Sequence, residues 1–213
     1  MSKQTDAAYE YIREKIFEGT LKPAQKLVEL QLAQQIGVSR NTIKKAFLKL
    51  QQENLVDLED NKGATVKSFT LEEVVNYLEI REVLEGLVAR SAAKNIKDTD
   101  LHEMKRIVEE MKIHLANNHF DKYSECNKAF HALIYDCANN IQAVDLIKMI
   151  RTQLIRYQFR TIFVPGRSQT SHKEHSDIYH ALLEHDERLA EEAVRKHVIE
   201  VRRTIEKNYH FLL

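Results

Sequence analysis

Apolar residues recur every three or four positions along almost the whole chain, the spacing of helices that bury one face. Tyr9, Ile12 and Ile16 form such a stripe on a first helix that stops near Gly19. Leu30, Leu32, Ala33 and Ile36 make a short second helix, and Gly37 supplies the turn after it. Ser39 can cap a third helix, whose Ile43, Ala46, Phe47 and Leu50 keep to one side. The period then changes to two over Leu55–Leu58 and Ala64–Lys67, around the turn Asp60-Asn-Lys-Gly63. Thr70-Leu-Glu-Glu73 reads as a capping box that opens a second region. From there the pattern predicts six helices, near 71–95, 98–117, 120–137, 141–163, 168–185 and 186–211. Asp98 and Asp186 are the expected N-caps of the second and sixth, and Pro165-Gly166 separates the fourth from the fifth. The expected fold is mostly α, with an N-terminal winged helix-turn-helix at 1–69 and an all-α helical bundle at 70–213.

Composition agrees. Only two prolines and five glycines interrupt 213 residues, and no apolar run reaches membrane-spanning length. The polar N-terminus has no signal-peptide pattern, so a cytoplasmic protein is expected. Cys126 and Cys137 would stand about 16 Å apart along one helix, too far for a disulfide. Acids and bases balance at 32 each, but residues 1–70 hold 11 basic and 9 acidic side chains. Between Gly37 and Gln52 lie Arg40, Lys44, Lys45 and Lys49 and no acid. Helix, short helix, glycine turn, basic helix and hairpin is the order of a winged helix-turn-helix, whose third helix enters the major groove of double-stranded DNA.

In the second region, Asn127 and His131 share a helical face with Phe130 and Ile134. His175 shares one with Ile178, Tyr179 and Leu182; His197 shares one with Ala190, Val194 and Val201. Each alone is adequately read as a core histidine with a local partner. Together, three imidazoles and an amide oxygen can satisfy one another through a divalent transition metal, with positions left for a ligand. Zinc, nickel, manganese and iron are not distinguished. Arg81, between Leu78 and Leu84, can either grip a ligand carboxylate or pair with Glu85 one turn on. Arg151 is a weaker candidate of the same kind.

The stretch LKPAQKLVELQLAQQIGVSRNTIKKAFLKLQQENLV with the later NKGATV resembles the GntR family of bacterial transcription regulators. The resemblance implies DNA contacts from Arg40, Asn41, Thr42 and Lys44, and from Lys62 and Gly63 at the wing tip; the basic face of the third helix adds Lys45 and Lys49. Ala24 stands where the family usually has glycine, and Lys44-Lys45 where Arg-Glu is common. The motifs YLEIREVLEGLVARSAA, NKAFHALIYDCANN and EHSDIYHALLEHDERLAEEAVRKHV resemble the FCD domain of the FadR subfamily. That resemblance implies metal ligands at Asn127, His131, His175 and His197, with His172 a rival to His175. It also implies a homodimer with an effector site in this domain; a small carboxylate there could be reached by Arg81 and Arg151. Three imidazoles and one amide bring no charge to balance the ion, which favours an anion there. The alternatives are a metal-ion sensor and a metal-dependent enzyme; against the enzyme, no acid/base residue stands at a telling spacing.

Overall fold

A computed structural model describes residues 3–59 and 63–212, the side chains of 155–160 and 211–212 excepted. The described chain forms two compact units, 1–70 and 71–213.

In the first unit, α1 (Lys3–Phe17), α2 (Glu29–Ile36) and α3 (Arg40–Gln52) enclose a core of Ala8, Ile12, Ile43, Phe47 and Leu50. Leu30, counted with the apolar face of α2 from its spacing, is exposed. Gly37 ends α2 in the left-handed conformation at φ +75°, where glycine carries no Cβ penalty, and its N–H donates to Ala33 O. The Thr42 N–H donates to Ser39 Oγ at 3.1 Å, so Ser39 caps α3. Strands β1 (Lys26–Leu27), β2 (Val56–Glu59) and β3 (Gly63–Val66) form an antiparallel sheet in the order β1-β3-β2. Lys26 stands opposite Thr65, and Val56 opposite Val66. Strand β1 was not anticipated, because two residues are too few to show a period. It is preceded by Ala24, which sits at φ +59° while its N–H donates to Val66 O.

The second unit is built from α4 (Leu71–Asn95), α5 (Asp98–Ala116), α6 (Phe120–Asp136), α7 (Ile141–Thr161), α8 (Arg167–Leu183) and α9 (Glu187–Leu212). Its core gathers Val88, Ala92, Met104, Met111, Phe130, Ile147, Leu182 and Val194. Long helix α4 packs closely on α9, and Gly86 makes this possible: a Cβ there would lie 2.7 Å from Arg195 Cγ. Asp186 caps α9 through the Leu189 N–H at 2.8 Å, as its position implied. Asp98 does not cap α5. It is the first helical residue, and the Asp100 carboxylate instead accepts from the Lys97 N–H at 3.3 Å. Both cysteines are free thiols, Cys126 within α6 and Cys137 at its end. Burial beside Asp100 pushes the Cys137 thiol up to about 11.

Candidate functional site: a basic helix and a buried histidine triad

On α3, Arg40, Asn41, Lys44 and Lys45 are exposed. Arg40 Nη2 lies 3.3 Å from Glu29 Oε2, a contact that orients the side chain from α2. No ion pair engages Lys44 or Lys45 among the described residues. Lys49 is half-buried, its ammonium 2.8 Å from Asp6 Oδ1 and 4.3 Å from the centre of the Tyr9 ring. Thr42 is buried and its hydroxyl meets Ser39 Oγ at 2.9 Å, so that group is already engaged in the cap. Gly63 sits at φ +90° at the start of β3, and Lys62 lies outside the described residues.

In the second unit three helices converge. His131 comes from α6, His175 from α8 and His197 from α9, each at most 4% exposed. One ring nitrogen from each lies within 4.8 Å of the others. The ring centres are 5.4 Å apart for His131–His175 and for His131–His197, and 4.7 Å for His175–His197. Among the described residues, neither nitrogen of His131 has a hydrogen-bond partner, nor has His175 Nε2. His175 Nδ1 lies 2.6 Å from Ser171 O, and His197 Nδ1 lies 2.7 Å from Glu174 Oε2. Burial holds His197 down at about 3, helped by Arg167 and Arg81, and pushes His131 and His175 well below the ordinary range. All three rings are therefore neutral near pH 7, the form that donates a lone pair to a metal. His172 is not part of the group: its Nε2 lies 3.3 Å from Val108 O on α5. Asn127 lies one turn before His131 on α6, only half-buried rather than enclosed as its apolar neighbours suggested.

Arg81 resolves toward Glu85. Its Nε donates to Glu85 Oε1 at 2.5 Å, and both side chains are at most 2% exposed. The Tyr135 hydroxyl donates to the same Oε1 at 3.0 Å and accepts from Arg151 Nη1 at 2.9 Å. Burial raises the Glu85 carboxyl, but Arg81 and Arg151 outweigh it and hold the group below the usual carboxylate range. Among the described residues, Arg81 Nη1 and Glu85 Oε2 have no hydrogen-bond partner, the latter lying 3.6 Å from His131 Nδ1. On the other side, Arg167 Nη1 and Nη2 donate to the two Glu174 oxygens at 3.1 and 2.8 Å.

Glu85, Tyr135, Glu174 and Arg167 were missed as site residues in the sequence. An Arg–Glu pair one turn apart normally lies in solvent, and nothing in residues 81–85 marks this one as buried. Glu174, directly before His175, offered the one usable signal. These carboxylates also correct the expectation that no protein charge lies near the imidazoles. Among the described residues, two acids stand there against three arginines, a positive balance before any ion is counted.

The first unit matches the bacterial regulatory proteins of the gntR family over residues 4–66, and the second matches the FCD domain over residues 76–206. The HTH-type transcriptional repressor RspR of Escherichia coli (strain K12) is 24% identical over 197 residues, covering 92% of this chain and 86% of that protein. The HTH-type transcriptional regulator LutR of Bacillus subtilis (strain 168) is 28% identical over 207 residues, covering 87% and 94%. The solved structure of E. coli McbR/YncC shares the fold, with a TM-score of 0.73 at 20% identity over 100% of this chain and 98% of that one. The chain thus belongs to the GntR family: it is a DNA-binding transcription regulator, not an enzyme, with an FCD domain as its second unit.

Proposed function

We propose that the second unit holds a divalent transition metal through His131, His175 and His197, with the Asn127 amide oxygen as a fourth ligand, and that a small carboxylate completes the site and changes operator affinity. The observation that carries this reading is the triad itself. Three neutral imidazoles share one buried point, and among the described residues nitrogens at two of them lack a partner. Unpaired buried nitrogen is costly, and one ion takes up one nitrogen from each of the three rings at once. The residues therefore fit the group. The positive surroundings favour an anion beside the ion, and Arg81 Nη1 retains a donor for one of its oxygens. Arg151 acts further back, through Tyr135 and Glu85.

In this reading Arg40 and Asn41 meet base edges, Thr42 steadies the start of α3, and Lys44, Lys45, Lys49, Lys62 and Gly63 meet the backbone. The protein works in the bacterial cytoplasm as a homodimer on a palindromic operator. Exposed Ile80, Val83 and Leu87, in a row along α4, are a suitable face for a second copy. An acid that binds one of two arrangements more tightly shifts the population between them, and DNA affinity follows.

Thermal-shift measurements on metal-loaded and metal-free protein, across a panel of hydroxy, keto and sugar acids, test the effector. Stabilisation by an acid only when metal is present, with a changed operator affinity, is the expected result. Equal stabilisation without metal, or a preference for cations, would overturn it. Elemental analysis tests the ligands: His131→Ala, His175→Ala and His197→Ala should each lose the ion, and His172→Ala should keep it.

A further inference from the structure

An imidazole can offer either nitrogen to a metal, and its choice is set by where the other nitrogen's proton goes. Here the second nitrogens have definite places. Ser171 O can only accept, so His175 Nδ1 at 2.6 Å carries the proton and Nε2 is left as a bare lone pair. Glu174 plays the corresponding part for His197, with a difference: it brings charge. Burial raises its carboxyl, while two N–H groups from Arg167 hold both of its oxygens, an arrangement that favours the ionised form. An ionised carboxylate also only accepts, so the 2.7 Å contact requires the proton on His197 Nδ1.

Arg167 and Glu174 lie two turns apart on one face of α8, while His197 stands on α9. The contact thus ties a candidate ligand on one helix to an anchored carboxylate on the next. We propose that Glu174 is a positioning residue: fixed by Arg167, it holds His197 as the Nδ1–H tautomer and leaves Nε2 as the donor to the ion. Its meaning for metal binding rests on the metal reading above, whereas the tautomer does not. Glu174 touches neither ion nor effector and acts through His197 alone. The negative charge behind the ring makes that nitrogen a better donor, and this is what a carbonyl partner such as Ser171 O supplies more weakly.

The test uses the full chain and cobalt(II) as the probe. Glu174→Gln keeps the side-chain shape but removes the charge, and should weaken cobalt binding about 10–100-fold and shift its ligand-field spectrum. Arg167→Met, which frees the carboxylate without removing it, should weaken binding less. A merely structural role would lower the melting temperature of the metal-free variants and leave the cobalt spectrum unchanged. Nitrogen-15 NMR of the ring nitrogens in metal-free wild-type protein reads the tautomer without any substitution, so a variant that fails to fold does not remove the test. Nδ1–H at His197 is expected. Nε2–H there, or wild-type cobalt affinity and spectrum in folded Glu174→Gln, would overturn the proposal. If wild-type protein takes up no cobalt while His197 is Nδ1–H, the metal reading fails and the role of Glu174 in fixing the ring stands.

Discussion

Two residues show how local chemistry departs from what spacing implies. Ala24 occupies a left-handed backbone position, a conformation that costs a residue with a Cβ about 1 kcal/mol. This gives a physical reason for the glycine usual there in the family. Ala24→Gly is therefore expected to stabilise the protein by roughly 0.5–1 kcal/mol, read as a higher urea midpoint with unchanged slope. Arg81 and Glu85 are the opposite case, a charged pair sealed from water. Removing one partner leaves the other buried and uncompensated, so Arg81→Met should cost about 3–5 kcal/mol in chemical denaturation. A variant as stable as the wild type would show that the pair does not form in solution. The three histidines were legible because each sits on an otherwise apolar stripe, where an imidazole is conspicuous. Glu85 was not, since an acid one turn from an arginine looks the same in sequence whether it lies in water or in the core.

Helices and their ends were the most legible level. Periodicity located all six helices of the second unit, and Ser39 and Asp186 cap as their positions suggest. Asp98 failed as a cap because an acid anywhere in a first turn satisfies the helix dipole, so sequence does not say which residue stands just outside. Ser39→Ala should destabilise α3 by about 1 kcal/mol, with a matching loss of stability for the protein. On the same helix, Arg40→Ala should weaken specific DNA binding by about 1–3 kcal/mol and relax preference at one operator position. Selection of operators from random DNA decides it, and an unchanged base preference would remove Arg40 from base readout. Lys49→Ala should instead weaken all sequences alike and flatten the salt slope by about 1. Its pairing with Asp6 is solvent-screened and readily exchanged for a phosphate.

At the scale of the whole molecule, the two compact units part near residue 70, where the period changes and the capping-box pattern Thr70-Leu-Glu-Glu73 stands. Each unit has its own core. Acid should act chiefly through the second unit. His197 titrates at about 3 when folded against 6.5 when unfolded, and His131 and His175 are displaced the same way. The unfolded chain therefore binds more protons below pH 6.5, and the folded state loses stability as pH falls from there toward 3. Each ring contributes up to about 1.4 kcal/mol per pH unit in that window. The melting temperature of metal-free protein should thus drop steeply between pH 6.5 and 5. Flat behaviour there would mean the rings are not buried as neutral groups. Excess metal should raise the curve by mass action, about 2.7 kcal/mol at a hundred times the dissociation constant.

The α7–α8 connection separates the ligands. His131 lies before it, and His175 and His197 lie after it; Phe163, Pro165 and Gly166 in between are exposed to solvent. A protease that cuts beside Phe163 would leave one fragment with a single imidazole of the triad and another with two. An ion bound by all three would then be a clip between separate polypeptides, added to the packing of α9 on α4, and a chelator would lower the heat needed to part the nicked halves.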